Sequence, residues 1–155
     1  MLSVDAIGSG PLTYEWLLNG TPVPNAGGPQ LTITNAQFSD AGLYTARVTS
    51  SGSSDLSSPA GLGVRPRILV QPGNRAASAG NTVSLSVSAQ AAGALSYRWR
   101  FNGHAMLGQT NSTLSIVNAQ PSDSGNYSVV VYHTYAWTTC ASVSSNASVI
   151  VVNEP

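Results

Sequence analysis

Gln120-Pro121-Ser122-Asp123-Ser124-Gly125-Asn126-Tyr127-Ser128-Val129-Val130-Val131 decides how this chain folds. Ser and Asp side chains tighten a short turn, glycine accepts a backbone angle that a Cβ would penalise, and Tyr127 opens a strand with a polar tip able to bond back to the turn. The apolar residues after it make that strand a buried one. An earlier copy, Gln37-Phe38-Ser39-Asp40-Ala41-Gly42-Leu43-Tyr44-Thr45-Ala46-Arg47-Val48, keeps Asp, Gly and Tyr in the same places. The offset is 83 residues for Trp16 and Trp99, for Asp40 and Asp123, and for Tyr44 and Tyr127. Between residues 2–48 and 85–131 no gap is needed, and about 20 of about 47 positions are identical, which marks an internal duplication.

Working outward, Leu12-Thr13-Tyr14-Glu15-Trp16-Leu17-Leu18-Asn19-Gly20 and Leu95-Ser96-Tyr97-Arg98-Trp99-Arg100-Phe101-Asn102-Gly103 each predict a strand that ends in an Asn-Gly hairpin turn. Strand parity turns Tyr14, Trp16, Tyr97 and Trp99 into a core, and sends Glu15, Arg98 and Arg100 outward. Gln30-Leu31-Thr32-Ile33 and Ser112-Thr113-Leu114-Ser115-Ile116 alternate as a further strand in each copy, and Leu2-Ser3-Val4 matches Leu85-Ser86-Val87.

The corner, the strand-borne tryptophan twelve residues after Val87, and the repeat together resemble bacterial immunoglobulin-like repeats close to the I-set type, over nearly the whole chain. The resemblance implies an all-β fold of two tandem immunoglobulin-like β-sandwiches, module 1 over residues 1–65 and module 2 over residues 66–155. It places the corners at strand F and the tryptophans on strand C. The first sandwich is expected to lack strand A and the start of strand B, because residues 68–84 have no counterpart before Met1. Three explanations stand open: a fragment of a longer array, completion by a strand from a neighbouring chain, or tolerance of the loss. In the family a disulfide joins strands B and F; here the equivalent positions are Val4 with Ala46 and Val87 with Val129, so aliphatic packing takes its place. Neither copy offers an obvious arginine to pair with Asp40 or Asp123, and turn capping is their expected task. The short junction Arg65-Pro66-Arg67 favours end-to-end modules over freely tumbling ones.

Composition narrows the functional classes. Six arginines balance six acidic residues, charged residues make up 8%, and the formal net charge is zero, so no field draws in nucleic acid or an anionic membrane. No apolar run approaches the ~20 residues of a membrane helix, so no membrane insertion is expected. The single Cys140 excludes an intramolecular disulfide and is either a small, partly buried hydrophobe or an intermolecular bridge. No phosphate loop, nucleophile elbow or Cys-x-x-Cys pair is present. No catalysis, cofactor or metal is expected.

Subtracting one copy from the other isolates the candidate contact residues. Copy two carries about four extra residues between its last strands and places Tyr132, His133, Tyr135 and Trp137 there. We read these as a loop whose aromatics, with Arg98 and Arg100 on the same outward face, form a shallow patch for a partner chain or a sugar ring. The alternative reading is that they cover the base of that loop or the junction to a neighbouring module. The structural set is Trp16, Trp99, Tyr44, Tyr127, Asp40, Asp123, Gly42, Gly125, Val87 and Val129. The resemblance implies an extracellular or cell-surface spacer, adhesive or assembly role. The expected partners are neighbouring immunoglobulin-like modules or copies of itself, with a surface polysaccharide as the alternative.

Overall fold

A computed structural model describes residues 1–135, 138–143 and 146–152. Over these residues the chain is built of β-strands and two short 3-10 turns, and no helix is long and apolar enough to cross a membrane. It divides into two compact units, with the main division between Val64 and Arg65.

The first unit holds β1 (Leu2–Ser3), β2 (Leu12–Leu18), β3 (Thr21–Pro22), β4 (Gln30–Leu31), β5 (Gly42–Ser50), β6 (Ser53–Leu56) and β7 (Ala60–Leu62). One layer is the antiparallel pair β1 and β4, in which Leu2 faces Leu31. The other is centred on β5, which pairs with β2 along one edge and with β6 and then β7 along the other. Its hairpins turn at Asn19 and Gly20 (φ 51° and 83°) and at Ser51 and Gly52 (φ 48° and 84°), the left-handed pair that matches the twist of adjoining strands. Trp16, Leu31, Tyr44 and Ala46 form the buried core, with Val4, Leu18 and Ile33 partly buried around them.

The second unit holds β8 (Arg67–Val70), β9 (Arg75–Ser78), β10 (Val83–Ser86), β11 (Ser88–Gln90), β12 (Leu95–Phe101), β13 (His104–Ala105), β14 (Thr113–Ile116), β15 (Gly125–Tyr135), β16 (Thr138–Val143) and β17 (Ala147–Val152). Pro72-Gly73 breaks the first strand. Its first half, β8, pairs antiparallel with β11, and its second half, β9, crosses to the other layer and pairs parallel with β17. The larger sheet runs β13-β12-β15-β17-β9, with β16 also on β15; the facing layer contains β10 on β14. Period-two patterning does the work here: Val83 and Leu85 are buried while Ser84 and Ser86 are exposed. Twelve buried hydrophobic residues make this core against four in the first unit, so the second carries more of the apolar burial.

In the first unit no strand among the described residues pairs as β8 and β9 do.

Two expectations need correction. Gly42 and Gly125 do not serve an unusual backbone angle, since the glycines with positive φ are Gly20, Gly52, Gly80, Gly103 and Gly108. Close approach is the reason. A Cβ on Gly125 would lie 2.5 Å from Phe101 Cε2 and 2.7 Å from Asn102 Oδ1, and one on Gly42 would collide with Leu18 Cδ1. The second correction concerns the aromatic segment. Tyr132, His133 and Tyr135 are strand residues on β15, not loop residues, because the run of β-branched and aromatic residues keeps pairing with β12 as far as His133 opposite Leu95. Trp137 lies outside the described residues.

Candidate functional site

The outward face of β12 and β15 gathers the candidate contact residues. The register sets Ser96 opposite Tyr132, Arg98 opposite Val130 and Arg100 opposite Ser128, so Arg98, Arg100 and Tyr132 share one face. The Arg98 guanidinium carbon stands 6.0 Å from the centroid of the Tyr132 ring, over its electron-rich face. Arg98 is exposed, whereas Tyr132 and Arg100 are half-buried. The face is less open than parity alone implies. Val130 and Ser128 are buried, and Arg100 Nε is shielded from solvent with no hydrogen-bond acceptor among the described residues. Neither arginine has a carboxylate partner among them. The first unit differs at the same place: Glu15 stands where Arg98 does and pairs with Arg47 at 2.6 Å, an exposed bridge of little stabilising value.

On the inner side, His133 is buried and its Nδ1 lies 3.2 Å from the carbonyl oxygen of Ala94. No group of three or more His, Cys, Asp or Glu side chains suited to a metal ion occurs among the described residues. Cys140 is a half-buried free thiol.

The corner residues form the same constellation twice. Tyr44 donates its hydroxyl proton to the Asp40 carbonyl at 2.7 Å, and Tyr127 donates to the Asp123 carbonyl at 2.8 Å. Each Asp side chain accepts from the backbone N–H three residues earlier, Gln37 to Asp40 Oδ2 at 2.7 Å and Gln120 to Asp123 Oδ2 at 2.8 Å. Both carboxylates thus cap 3-10 turns, the one over Phe38–Asp40 and the other over Pro121–Asp123. The tryptophans repeat as faithfully. Trp16 Nε1 donates to Gly28 O at 3.0 Å and Trp99 Nε1 to Asn111 O at 2.9 Å. Asn19 and Asn102 each accept, through Oδ1, the N–H of the residue after the corner glycine. At the positions for which the resemblance implies a cystine, Val87 and Val129 are buried in one cluster, and Ala46 is buried beside a partly buried Val4.

Residues 65–133 match the family described as "Immunoglobulin domain". Two solved structures resemble nearly the whole chain. Extracellular domains 3–5 of Drosophila OTK superpose with a TM-score of 0.63 at 19% identity, over 92% of this chain and 52% of that one. The tandem Ig repeats of Dlar give 0.53 at 17% identity, over 93% and 84%. The chain has the fold of two tandem immunoglobulin-like β-sandwiches. A 51-residue stretch is also 47% identical to a decoration protein of Escherichia phage T5; the match spans 32% of this chain and 31% of that protein's length.

In these immunoglobulin-like domains the corner tyrosines carry a pH signature. Burial first, and the nearby Asp40 or Asp123 carboxylate second, raise both hydroxyls above the ordinary 10.0. Because the folded state holds these protons more tightly than the unfolded state, their contribution is complete below pH 10.0 and is lost as the pH rises through the folded values. Urea unfolding from pH 8 to 12 is expected to show a falling midpoint above about pH 10. Tyr44→Phe with Tyr127→Phe is expected to flatten that fall; an unchanged slope would exclude the corners as its source.

Proposed function

We propose that this domain pair is an extracellular structural or adhesive unit of a longer surface array or filament, with residues 1–65 and 66–155 as its modules, and that it works by self-association or protein–protein contact. The observation that supports it is the outward face of β12 and β15. There an aromatic ring and two arginines without carboxylate partners among the described residues stand together, a composition that suits a protein interface. The similarity to a decoration protein supports a module displayed on an assembly. The alternative, an accessory carbohydrate-binding module, gains less support, because Arg98 stands over the Tyr132 face on which a sugar ring would stack.

The test is sedimentation velocity of the chain over a range of concentrations, beside Tyr132→Ala and Arg98→Glu. We expect concentration-dependent association, weakened about tenfold or more in each variant while circular dichroism stays unchanged. Association untouched by either change would remove this face from the function.

A further inference from the structure

The formal charge of zero conceals two domains of opposite sign. Of the two matched stretches, 2–48 holds Asp5, Glu15 and Asp40 against Arg47 alone, and 85–131 holds Arg98 and Arg100 against Asp123 alone. Divided after Val64, the chain has four acidic residues and one arginine on one side, and five arginines and two acidic residues on the other. No arginine of the second domain forms an ion pair among the described residues.

The opposition is sharpest on one pair of equivalent faces. On the second domain, β12 and β15 set out three facing pairs: Ser96 with Tyr132, Arg98 with Val130, and Arg100 with Ser128. Displaced by 83 residues, the same rows on β2 and β5 of the first domain read Thr13 with Thr49, Glu15 with Arg47, and Leu17 with Thr45. Glu15 thus holds the place of Arg98, and Thr49 that of Tyr132. The Glu15 side chain remains 43% exposed, and its bridge to Arg47 uses Oε2. A carboxylate accepts at both oxygens, so a further guanidinium can join it.

Self-association through the β12 and β15 face is narrowed by these charges. A two-fold contact of that face with itself would bring Arg98 and Arg100 of both copies together with no carboxylate between them, and like charges so placed oppose association. The first domain's face offers what is missing. It presents a carboxylate at the register of Arg98, and in the next row the short side chains of Thr13 and Thr49, against which the Tyr132 ring can lie.

We infer that the β12 and β15 face of the second domain docks on the β2 and β5 face of the first domain of another copy, with Arg98 and Arg100 closing on the Glu15 carboxylate. The inference rests on the proposal that this face acts by self-association, and it names the surface that the face meets. The contact is heterologous, each copy offering one face of each sign.

Charge reversal on both sides of the contact, read by sedimentation velocity of the full chain, tests it. Glu15→Arg is expected to weaken association at least about tenfold, as Arg98→Glu does. An equimolar mixture of the two variants is expected to recover it to within about threefold of the parent, because the reversed charges meet each other. Glu15→Gln, which keeps the shape of the side chain, is expected to give a smaller loss. Raising the salt from about 0.02 to about 0.5 M is expected to weaken association of the parent at least about tenfold. Glu15→Arg associating like the parent, or a mixture that stays monomeric while each variant keeps the parent's circular dichroism, would overturn the docking. The outcomes separate the two proposals. A parent chain that associates, and is weakened by Arg98→Glu but not by Glu15→Arg, keeps self-association and loses this partner surface. A parent chain that stays monomeric up to about 1 mM loses both.

Discussion

Trp99→Ala is expected to lower the stability of the second domain by about 3–5 kcal/mol. Trp99 is fully buried at the centre of a cluster that includes Leu85, Leu114, Val129 and Val131. Truncation removes the largest side chain in that core and leaves a cavity that a close-packed sandwich collapses into only partly. It also takes the donor from the Asn111 carbonyl. Urea unfolding followed by far-ultraviolet circular dichroism reads the loss without relying on tryptophan emission. Trp16→Ala is expected to cost less, since only three other buried hydrophobic residues, Leu31, Tyr44 and Ala46, share its core cluster. A midpoint for Trp99→Ala within error of the parent would refute the central place given to this residue.

Gly125→Ala is expected to cost about 1–3 kcal/mol, although it adds a single methyl group. The new carbon would lie 2.5 Å from the Phe101 ring and 2.7 Å from the Asn102 side chain. Phe101 has little room to give, because its ring stands 4.8 Å from that of Tyr127, the corner residue itself. Any retreat therefore disturbs the hydroxyl bond to Asp123. Gly103→Ala separates collision from backbone strain. Its φ is +84° and no atom lies within 4 Å of the added carbon, so it is expected to lose only the left-handed penalty of about 1–2 kcal/mol. Thermal melts of the two variants compare the mechanisms directly. If Gly125→Ala melts like the parent, the close approach of β12 to β15 has been given too much weight.

The sequence made the tandem sandwich legible because the features that define it are local or periodic. The Asn-Gly turns, the Ser84/Ser86 alternation and the paired Asp, Gly and Tyr of each corner leave a pattern that survives at a fixed offset. What escaped is tertiary. Nothing in the letters Ser-Gly-Asn distinguishes a glycine needed for its φ from one needed because Phe101 passes beside it. The second half of the first strand, β9, was hidden in the same way: Pro72-Gly73 signals a break, but the parallel pairing with β17 is visible only once both layers are built. Parity placed Arg98, Arg100 and Tyr132 on one face, yet could not say that Val130 between them is buried. The aromatic segment reads as a loop when its extra length is set against the first copy, whose hairpin turns early at Ser51 and Gly52.

The aliphatic pair Val87 and Val129 has a mechanical meaning. A cystine at these positions would tie the two strands together and hold back the residues between them when the domain is pulled open. With valines there, nothing covalent shortens the chain. The 41 residues from Ser88 to Ser128 can all be paid out, about 140 Å of extended polypeptide. An array of such domains would therefore yield its full contour length under load and recover it without an oxidant.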